Sequence, residues 1–494
     1  MLNHARTVVS WTIAACVLAA AGCNTSDRGG PSLLASAPRA PTTQLAITLD
    51  GSIDEWPADK AALADAHYLY LRLMIEGEPR SIQASHESLT ILLDVDADAT
   101  TGARVDEPAD SLGVDLEVRF SPRRDDGTPG RGVAVIAHTA DGPRTLSHAD
   151  IGLLVAPTHA ADWYEVRVSR LLPDGLPRAG LASDGRASGM IVLHDAGGQV
   201  AGWSDPFTVA LAPAASGPHL GDADLPRKPR GAIRIVSWNV EHAAPMRNAG
   251  PFANAILALE PDVVLVQEWT LETPGQLRGW FTASLPASDG RPWHTRTGDG
   301  WGVGIVSKHP LEPLGPTRLE LPGHKTPVRF IGAVADTPSG PVALASIHLK
   351  CCGGADGPED AQRNAEARLI NATIADALAG VPHDALVIAG DVNLVGRRTP
   401  LDTLATGLAS GGGSLSVAAP RVLGDAAYYT WSDPETEFSP GRLDFALVGG
   451  GRIVNAFVLD TTRLSDAALQ RIGLDRGDTA ASDHRPVVID VVPR

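Results

Sequence analysis

The sequence predicts two folded domains of different class, an all-β sandwich followed by a mixed α/β sandwich. The chain has 494 residues, which is more than one ordinary domain holds, so two domains are expected. Residues 42–214 contain short β-forming runs between Gly, Pro and Asp clusters, without a long amphipathic helix, which is typical of a β-sandwich. In residues 232–494, strand-like and helix-like segments alternate, as in a mixed α/β domain.

The composition is that of a folded protein with an acidic surface. Hydrophobic residues make up 44% and charged residues 20% of the chain, which excludes a disordered polymer. The formal net charge is −17, and residues 231–494 hold 22 basic and 29 acidic residues. A surface-wide polyanion-binding face is therefore not expected, although a local basic groove is compatible with these numbers. The four cysteines have no zinc-type spacing.

Residues 1–23 predict an export signal. Arg6 precedes an apolar run over residues 8–21, which is too short for a spanning helix. The end of the run, Leu-Ala-Ala-Ala-Gly-Cys, resembles a bacterial lipobox and implies that Cys23 is lipidated and becomes the mature N-terminus. Residues 24–41 then predict a tether. We expect a lipid-anchored protein of the bacterial cell envelope, periplasmic or on the outer surface; a soluble secreted protein is the alternative.

Three motifs mark the predicted β-sandwich. Residues 49–57 read Leu-Asp-Gly-Ser-Ile-Asp-Glu-Trp-Pro, and residues 93–102 and 163–166 add an Asp-rich turn and a Trp-Tyr-Glu-Val strand. These motifs resemble the opening of family 9 carbohydrate-binding modules and of their DOMON-like relatives. The resemblance implies a carbohydrate-binding-module-like sandwich over residues 42–214 and leaves carbohydrate open as a partner.

The Asp-rich turn suggests a calcium site, because Ca²⁺ takes several oxygen ligands and Asp94, Asp96 and Asp98 alternate there. The glycine and terminal glutamate of an EF-hand loop are absent, which favours a solvated turn over a Ca²⁺ site. Trp56 is expected to pack in the core instead of presenting its ring to a sugar. Ca²⁺ in the N-terminal domain is therefore a secondary expectation.

Residues 215–231 are interpreted as a linker, because they carry prolines and no hydrophobic period. The second domain begins with a change to alternating strands and helices, and its later helix has apolar residues at helical spacing. Strands are expected at residues 233–237, 263–266, 302–306 and 342–347, and helices at residues 247–259 and 361–378.

Polar side chains recur at the ends of these predicted strands. Asp391 and Asn393 stand two positions apart after an apolar run, so they point the same way in an extended chain. A single residue of this kind is usually a turn or cap residue, but so many at strand ends indicate a shared site. The residues are Asn239, Glu268, His348, Asp391, Asn393, Asp444, Asp483 and His484.

The order of these motifs resembles the endonuclease/exonuclease/phosphatase superfamily, which includes deoxyribonucleases, abasic-site endonucleases, sphingomyelinases and inositol-polyphosphate 5-phosphatases. The motifs read Ser-Trp-Asn-Val, Gln-Glu, His-Leu, Gly-Asp-x-Asn, Leu-Asp-Phe and Ser-Asp-His-Arg-Pro. The resemblance covers residues 232–494 and implies a four-layer α/β sandwich, in which helices flank two mixed β-sheets. It implies a divalent-metal-dependent phosphoester hydrolase, phosphodiesterase-like or nuclease-like, that uses a metal-positioned water.

The same resemblance implies a role for each polar residue. Glu268 would be the main ligand of Mg²⁺ or Mn²⁺, with Asn239 and Asp483 adding oxygens, and an all-oxygen set suits such hard cations. Asp391 would orient or deprotonate the attacking water, and Asn393 would hold that water or a phosphate oxygen.

Three histidine and aspartate assignments complete the implied site. His484 would contact the phosphate, while Asp444 would hold its ring and favour the imidazolium. His348 would supply a second phosphate contact or the proton of the leaving group.

Cationic residues between the motifs are candidates for setting the substrate. Arg296 lies in a segment that combines cations with indole rings, and Arg397 and Arg398 follow Asn393 directly. A phosphate clamp and a solvated loop are both compatible with each of them.

Cys351 and Cys352 are adjacent and follow the His-Leu motif. In an exported protein without another partner for them, they would form a vicinal disulfide, with two reduced thiols as the alternative.

Two other functions are kept beside the phosphodiesterase. One is a phosphomonoesterase or sphingomyelinase-like phospholipase that acts on a small or lipid headgroup. The other is a non-catalytic surface protein that binds carbohydrate and carries a retired hydrolase scaffold. The expected partners are a phosphoester substrate, for which nucleic acid is one candidate, and the membrane through the lipid anchor; no oligomeric state is predicted.

Overall fold

The protein is a mostly-β chain with several mixed and antiparallel sheets and few helices. The computed structural model describes residues 47–75, 77–106, 108–173, 185–270, 273–286, 292–299 and 302–494. The predicted signal segment, residues 1–23, its lipidated Cys23 and the tether, residues 24–41, lie outside the described residues. No helix within the described ranges is long and apolar enough to cross a membrane.

Two antiparallel sheets precede residue 232. Sheet A has the strand order β1-β2-β8-β7, and sheet B has the order β10-β9-β3-β4-β5-β6 with β11 also pairing with β9. Their strands are β1 (Ala62–Ala64), β2 (Tyr68–Met74), β3 (Ser88–Asp94), β4 (Leu116–Phe120), β5 (Val133–Thr139), β6 (Gly142–Leu146), β7 (Leu154–Ala156), β8 (Trp163–Ser169), β9 (Arg186–His194), β10 (Val200–Trp203) and β11 (Phe207–Ala210).

Sheets A and B share one hydrophobic core. Leu71 of β2 and Val166 of β8 are buried in the same cluster as Ile91 of β3 and Val118 of β4. Alternate residues of β2 and β5 enter this core, as the two-residue period of a strand requires. Trp56 is buried as expected, with its indole N–H donating to Glu165 at 2.8 Å.

Two mixed sheets follow residue 232. Sheet C has the order β14-β15-β13-β12-β24-β23-β21, and sheet D has the order β16-β17-β18-β19-β22-β20. Their strands are β12 (Ile233–Asn239), β13 (Val263–Gln267), β14 (His294–Thr297), β15 (Gly304–Ser307), β16 (Leu311–Leu314), β17 (Arg329–Thr337), β18 (Gly340–His348), β19 (Ala385–Asp391), β20 (Ser416–Val417), β21 (Arg421–Val422), β22 (Asp444–Gly449), β23 (Arg452–Val458) and β24 (Val487–Val492).

Helices cover the outer faces of sheets C and D. Thr273 caps the second helix in a capping box with Gln276, and Gly473 ends the last helix in a left-handed conformation. The helices are α1 (Ala249–Leu259), α2 (Pro274–Ser284), α3 (Pro358–Leu378), α4 (Thr399–Ala405) and α5 (Asp466–Ile472). Single 3₁₀ turns occur at Ala244–Met246, Ser410–Gly412, Thr461–Arg463 and Thr479–Ala481.

Three hydrophobic cores lie between these layers. Residues of sheets C and D meet face to face in one core, which includes Leu265 of β13 and Val387 of β19. Helices α1, α2 and α5 pack on the other face of sheet C, and α3 and α4 on that of sheet D. The observed layers are consistent with the four-layer α/β sandwich that the motifs imply.

The segment between the two pairs of sheets is bound to the second pair. Gly221 donates its N–H to Arg463 and accepts from the N–H of Ser465, at 2.8 and 2.9 Å. Arg471 pairs with Asp222 and Asp224. These contacts fix residues 221–224 to the surface of the second half, whereas Ala215 donates its N–H to the carbonyl of Ala66 in the first half at 2.8 Å.

Candidate active site

The polar residues at the strand ends meet because of strand register. Parallel pairing of β18 with β19 sets His348 opposite Asp391. Antiparallel pairing of β19 with β22 sets Asp391 opposite Asp444. On sheet C, parallel β12 and β13 end together, so Asn239 lies level with the residue before Glu268. Opposite residues of paired strands are close neighbours, and Nδ2 of Asn239 on sheet C contacts Oδ2 of Asp391 on sheet D at 3.1 Å, so these five strand ends lie together.

Gly390 allows the close approach of β18 to this edge. Its φ is +149°, and a Cβ built there would lie 1.9 Å from the carbonyl oxygen of Ile347. Any larger residue would therefore push β18 and β19 apart next to Asp391. The residues that follow the strands also turn sharply, because Glu268 and Asn393 have left-handed φ values of +58° and +51°.

A buried histidine stands between two buried aspartates. Nδ1 of His484 lies 2.7 Å from Oδ2 of Asp444, and Nε2 of His484 lies 3.6 Å from Oδ2 of Asp391. Burial alone would lower the pKa of His484, but the charges of Asp444 and Asp391 outweigh it and raise this pKa to about 10. His484 is therefore an imidazolium at neutral pH, with Asp444 fixing its ring.

Asp391 is a buried carboxylate that can still exchange a proton near neutrality. Burial raises its pKa to about 7, although the positive charge of His484 opposes this shift. Its Oδ1 accepts from the N–H of Asn393 at 2.9 Å, and its Oδ2 accepts from Nδ2 of Asn239 at 3.1 Å. The amide of Asn393 donates to the carbonyl of Leu349 at 3.2 Å.

His348 differs from His484 in charge. Its Nε2 lies 3.4 Å from Oδ2 of Asp391 and 3.9 Å from Oε1 of Glu268. Burial, followed by the positive charges of Arg329 and His484, holds the pKa of His348 well below its usual value. The two histidines of the site are thus one cation and one neutral ring.

Carboxylates gather on the sheet C side of the site. Oδ2 of Asp483 accepts from the indole N–H of Trp431 at 2.9 Å, and the N–H of Asp483 donates to Glu241 at 3.2 Å. Burial raises the pKa of Glu241, and the charges of Asp483 and Glu268 raise it further. Three carboxylates therefore lie within electrostatic reach of one another.

This donor set fits a divalent cation. Glu268 and Asp483 line the same cleft as Asp391, and all of them offer oxygen. Mg²⁺ usually takes one or two protein carboxylates and keeps several waters, and Glu268 and Asp483 are ligands of that type. Asn239 is oriented as a donor, since its Nδ2 contacts Glu268 at 3.1 Å while its Oδ1 accepts from the N–H of Glu241 at 3.1 Å. Its predicted ligation would require the amide to turn over.

A separate acidic group lies in the first half. Ligand oxygens of Asp94, Asp96 and Asp115 are within 4.8 Å of one another, and this group could hold a metal ion. Asp98, which the sequence suggested as the third ligand, accepts instead from the hydroxyl and N–H of Thr100. Asp115 replaces it because β3 and β4 pair side by side.

The three arginines predicted to contact substrate do not line the cleft within the described residues. Arg296 donates to the carbonyls of Gly332 and Gly315 at 2.8 and 2.9 Å. Arg397 makes two 2.7 Å contacts with Asp356, and Arg398 pairs with Asp402 on α4. Each of these guanidinium groups already binds a carbonyl or a carboxylate of the protein. The structure therefore does not support a phosphate clamp there.

Cys351 and Cys352 lie at the cleft as free cysteines. Their Sγ atoms are 2.9 Å apart, whereas a disulfide needs about 2.05 Å. Contact with Cys352, opposed by burial and aided by Lys350, lowers the pKa of Cys351 to about 5. The two thiols are free in this structure, and both the vicinal disulfide and the reduced pair stay predictions.

Several residues that support the site were not singled out in the sequence. The indole of Trp238 donates to the carbonyl of His484 at 3.0 Å, and the hydroxyl of Ser482 donates to the carbonyl of Asn239 at 2.8 Å. Both belong to the quoted motifs, so the motif order did contain them. Trp431, which donates to Asp483, and Arg131, which lines the cleft, are distant in sequence from every motif.

The fold and the site define a class, an α/β sandwich with a buried Asp-His pair and a carboxylate cluster at one sheet edge. The family model described as "Endonuclease/Exonuclease/phosphatase family" matches residues 236–484. The chain belongs to the endonuclease/exonuclease/phosphatase family, a family of phosphoester hydrolases. No curated protein matches the sequence.

Solved structures with a similar fold cover about half of the chain. D. rerio TDP2 humanized by 14 mutations has 17% identity and a TM-score of 0.35, with 53% of this chain and 99% of that chain covered. The human Nocturnin catalytic domain with bound sulfate has 17% identity and a TM-score of 0.38, with 54% of this chain and 97% of that chain covered. Sphingomyelinase C from Streptomyces griseocarneus has 16% identity and a TM-score of 0.35, with 52% of this chain and 99% of that chain covered.

Proposed function

We propose that the protein is a divalent-metal-dependent phosphodiesterase of the nuclease-like kind, acting through a positioned water. The observation that carries this proposal is the row Asp444–His484–Asp391 at the bottom of a cleft whose rim holds Glu268 and Asp483. A fixed cation, a carboxylate that can take a proton and a cluster of oxygen ligands are what hydrolysis of a phosphodiester requires.

Asp391 is assigned to the attacking water. Its pKa of about 7 suits a base that takes a proton near neutral pH, because the pKa then lies close to the working pH. The N–H of Asn393 fixes one carboxylate oxygen at 2.9 Å, which holds the other toward the cleft. The water would lose its proton to Asp391 as its oxygen attacks phosphorus. The bond from phosphorus to the leaving oxygen would break with both electrons on that oxygen, which would take a proton from water in the open cleft.

The two histidines are assigned to the phosphate. His484 would place a permanent positive charge against a phosphoryl oxygen, since Asp444 holds its Nδ1 at 2.7 Å and keeps the ring protonated. His348 would be a neutral hydrogen-bond partner, because its lowered pKa makes it a poor proton donor to the leaving group. Of the two roles expected for His348, we therefore assign it the second phosphate contact.

The metal would be held by Glu268 and Asp483, with Asn239 beside them. When bound, Mg²⁺ or Mn²⁺ would neutralise negative charge that builds up on the phosphoryl oxygens. The charge crowding that raises the pKa of Glu241 is consistent with a cation at this place.

Removal of divalent metal is expected to abolish hydrolysis. The protein should hydrolyse bis-p-nitrophenyl phosphate with Mg²⁺ or Mn²⁺, lose this activity in EDTA and regain it with excess metal, because the carboxylates alone would repel the phosphate. The panel also includes DNA, RNA, sphingomyelin and inositol phosphates, which separate a phosphodiesterase from a phospholipase or phosphomonoesterase. An unchanged rate in EDTA would contradict the proposed metal dependence. Absence of turnover with every substrate would favour the non-catalytic carbohydrate-binding alternative.

The domain division and the location of the protein are part of the proposal. The shared core of sheets A and B supports a carbohydrate-binding-module-like sandwich over residues 42–214, and the lipobox-like end at Cys23 supports a lipid anchor. We expect cells expressing the protein to incorporate labelled palmitate into it and to lose the label in Cys23→Ala. Label retained in that variant would contradict the anchor, and a replacement of the neighbouring Thr25 by Ala serves as the control.

A further inference from the structure

One wall of the candidate active site comes from the first half of the chain. Besides the catalytic residues, the cleft is lined by five residues that precede sheet C, and its volume is about 390 Å³. The five residues are Ser81, Gln83, Ala84, Arg131 and Thr158. Sheets A and B therefore contribute to the same cavity that holds Asp391 and His484.

Specific hydrogen bonds fix this wall to the catalytic half. The hydroxyl of Ser81 donates to the carbonyl of Val395 at 2.8 Å. The amide of Gln83 donates to Ser439 and accepts from its N–H, both at 3.0 Å. The hydroxyl of Thr158 accepts from the N–H of Arg442 at 2.7 Å. These hydrogen bonds fix the position of the wall relative to the catalytic half, so the wall is an ordered part of the site.

Arg131 is held at this wall by its neighbour. Gly132 has a φ of +70°, and a Cβ there would lie 2.4 Å from Cγ of Glu437, so the two loops touch directly. The next residue, Val133, donates its N–H to the carbonyl of Glu437 at 2.6 Å. Arg131 and Cys352 both line the cleft, and the positive charge of Arg131 opposes the rise in the pKa of Cys352 that Cys351 and burial cause.

Arg131 is also the one Arg or Lys among the described residues that line the cleft. The other charged lining residues are four carboxylates and two histidines: Glu268, Asp391, Glu437, Asp483, His348 and His484. Its side chain is exposed, and no hydrogen bond or ion pair joins its guanidinium to another described residue. By contrast, Arg397 and Arg398 are already paired with aspartates.

We propose that Arg131 binds a second anionic group of the substrate, a phosphate or carboxylate beyond the phosphodiester that is cut. A guanidinium presents parallel N–H donors that match such a group, and this one is unpaired and faces the cavity. This inference rests on the proposed function, because it assigns the substrate of the same site.

The wall also limits the size of the substrate. A cavity of about 390 Å³ is in the range of sites for single small molecules, which span roughly 300 to 1,000 Å³. Gln83, Arg131 and Thr158 add side chains of the first half to one wall of this cleft, which leaves less room beside the bond that is cut than the second half alone would leave. This wall favours a compact phosphodiester with a second anion over an internal bond of a duplex.

The anion site can be tested with two p-nitrophenyl phosphodiesters of thymidine. One carries a second phosphate on the sugar, and the other does not. The wild type should prefer the diester with the second phosphate by kcat/KM, and Arg131→Ala should reduce this preference about tenfold, equivalent to about 1.4 kcal/mol. Arg131→Lys should retain part of it. Arg124→Ala is the matched control, because Arg124 is exposed on the same loop and does not line the cleft.

Other outcomes would overturn the proposal. An equal fall for both diesters in Arg131→Ala, or the same loss of preference in Arg124→Ala, would remove the second-anion role. Nicking of a closed circular plasmid as fast as the small diesters would remove the size limit.

Failure of the proposed function is recognised separately. If the wild type hydrolyses neither diester, calorimetric binding of inorganic pyrophosphate to the wild type and to Arg131→Ala decides the anion site. A tenfold weaker affinity in the variant supports the site, and equal affinities contradict it.

Discussion

Replacing Asp391 with Asn is expected to lower kcat on bis-p-nitrophenyl phosphate between about 10² and 10⁴ fold while the protein stays folded. Asn keeps the shape of the side chain but cannot take a proton from water. Because burial already disfavours the carboxylate and raises its pKa to about 7, loss of the charge should not destabilise the fold. Steady-state kinetics and urea unfolding of the purified variant measure both quantities.

His484→Ala is expected to abolish turnover as well, for a different reason. It removes the cation placed against the phosphate and leaves the buried carboxylate of Asp444 without its 2.7 Å partner. We therefore expect this variant to be folded but less stable than Asp391→Asn.

The control for both variants is Asp376→Asn, an exposed residue of α3 outside the cleft lining. Its kcat should equal that of the wild type. A rate close to that of the wild type in Asp391→Asn or in His484→Ala would remove the proposed mechanism.

Breaking the buried ion pair between the two halves is expected to cost about 3–5 kcal/mol of the free energy of unfolding. Nη1 and Nη2 of Arg167 on β8 contact the two carboxylate oxygens of Asp425 at 2.6 and 2.9 Å, and Arg463 adds a contact at 3.0 Å. Arg167 and Asp425 are almost fully buried. In Asp425→Asn both arginines would lose the compensating charge, so urea unfolding should show the full penalty.

The loss in the free energy of unfolding caused by Asp425→Asn should become smaller as the pH falls. Burial would raise the pKa of Asp425, but Arg167 and Arg463 outweigh it and hold this pKa below the ordinary value of 3.8. A depressed pKa means that the pair stabilises the fold above pH 3.8 and loses this contribution as the pH falls through the folded-state pKa. The stability difference between wild type and Asp425→Asn should therefore shrink in acid.

The exposed pair of Arg471 with Asp222 and Asp224 provides the comparison. Arg471→Ala should change stability little, because exposed ion pairs are screened by solvent. A small effect in Asp425→Asn, similar to that of Arg471→Ala, would show that the two halves are not held by the buried pair. This pair matters for function, since it fixes the sheets that carry the wall around Arg131.

Local structure was largely predictable from the sequence. The apolar run before Asp391 is β19, the helix expected at residues 361–378 is α3, which begins three residues earlier at Pro358, and the run at residues 263–266 is β13. These elements have strong local signals, a buried apolar run or a helical period. Several strands were missed, among them β17 and β2, although Leu69, Leu71 and Leu73 of β2 recur with the two-residue period of a strand; the other face of β2 is buried as well.

The residues of the site were predictable as a set, but their contacts were not. Asp444 and His484 are separated by 40 positions, and only the pairing of β19 with β22 brings Asp444 level with Asp391. The arginines next to the Gly-Asp-x-Asn motif were the obvious substrate candidates. Arg397 is instead paired with Asp356, which lies in the turn just before α3.

The sequence by itself determined which chemical groups the protein places at strand ends, since residue types and the two-residue period of a strand are local properties. The tertiary structure decided which of these groups meet, and it decided the charge of each histidine, because burial and neighbouring charges set a pKa. It also brought Arg131 from the first half to the cleft. That position depends on the packing of one sheet pair against the other, which is set by contacts hundreds of residues apart and leaves no pattern along the chain.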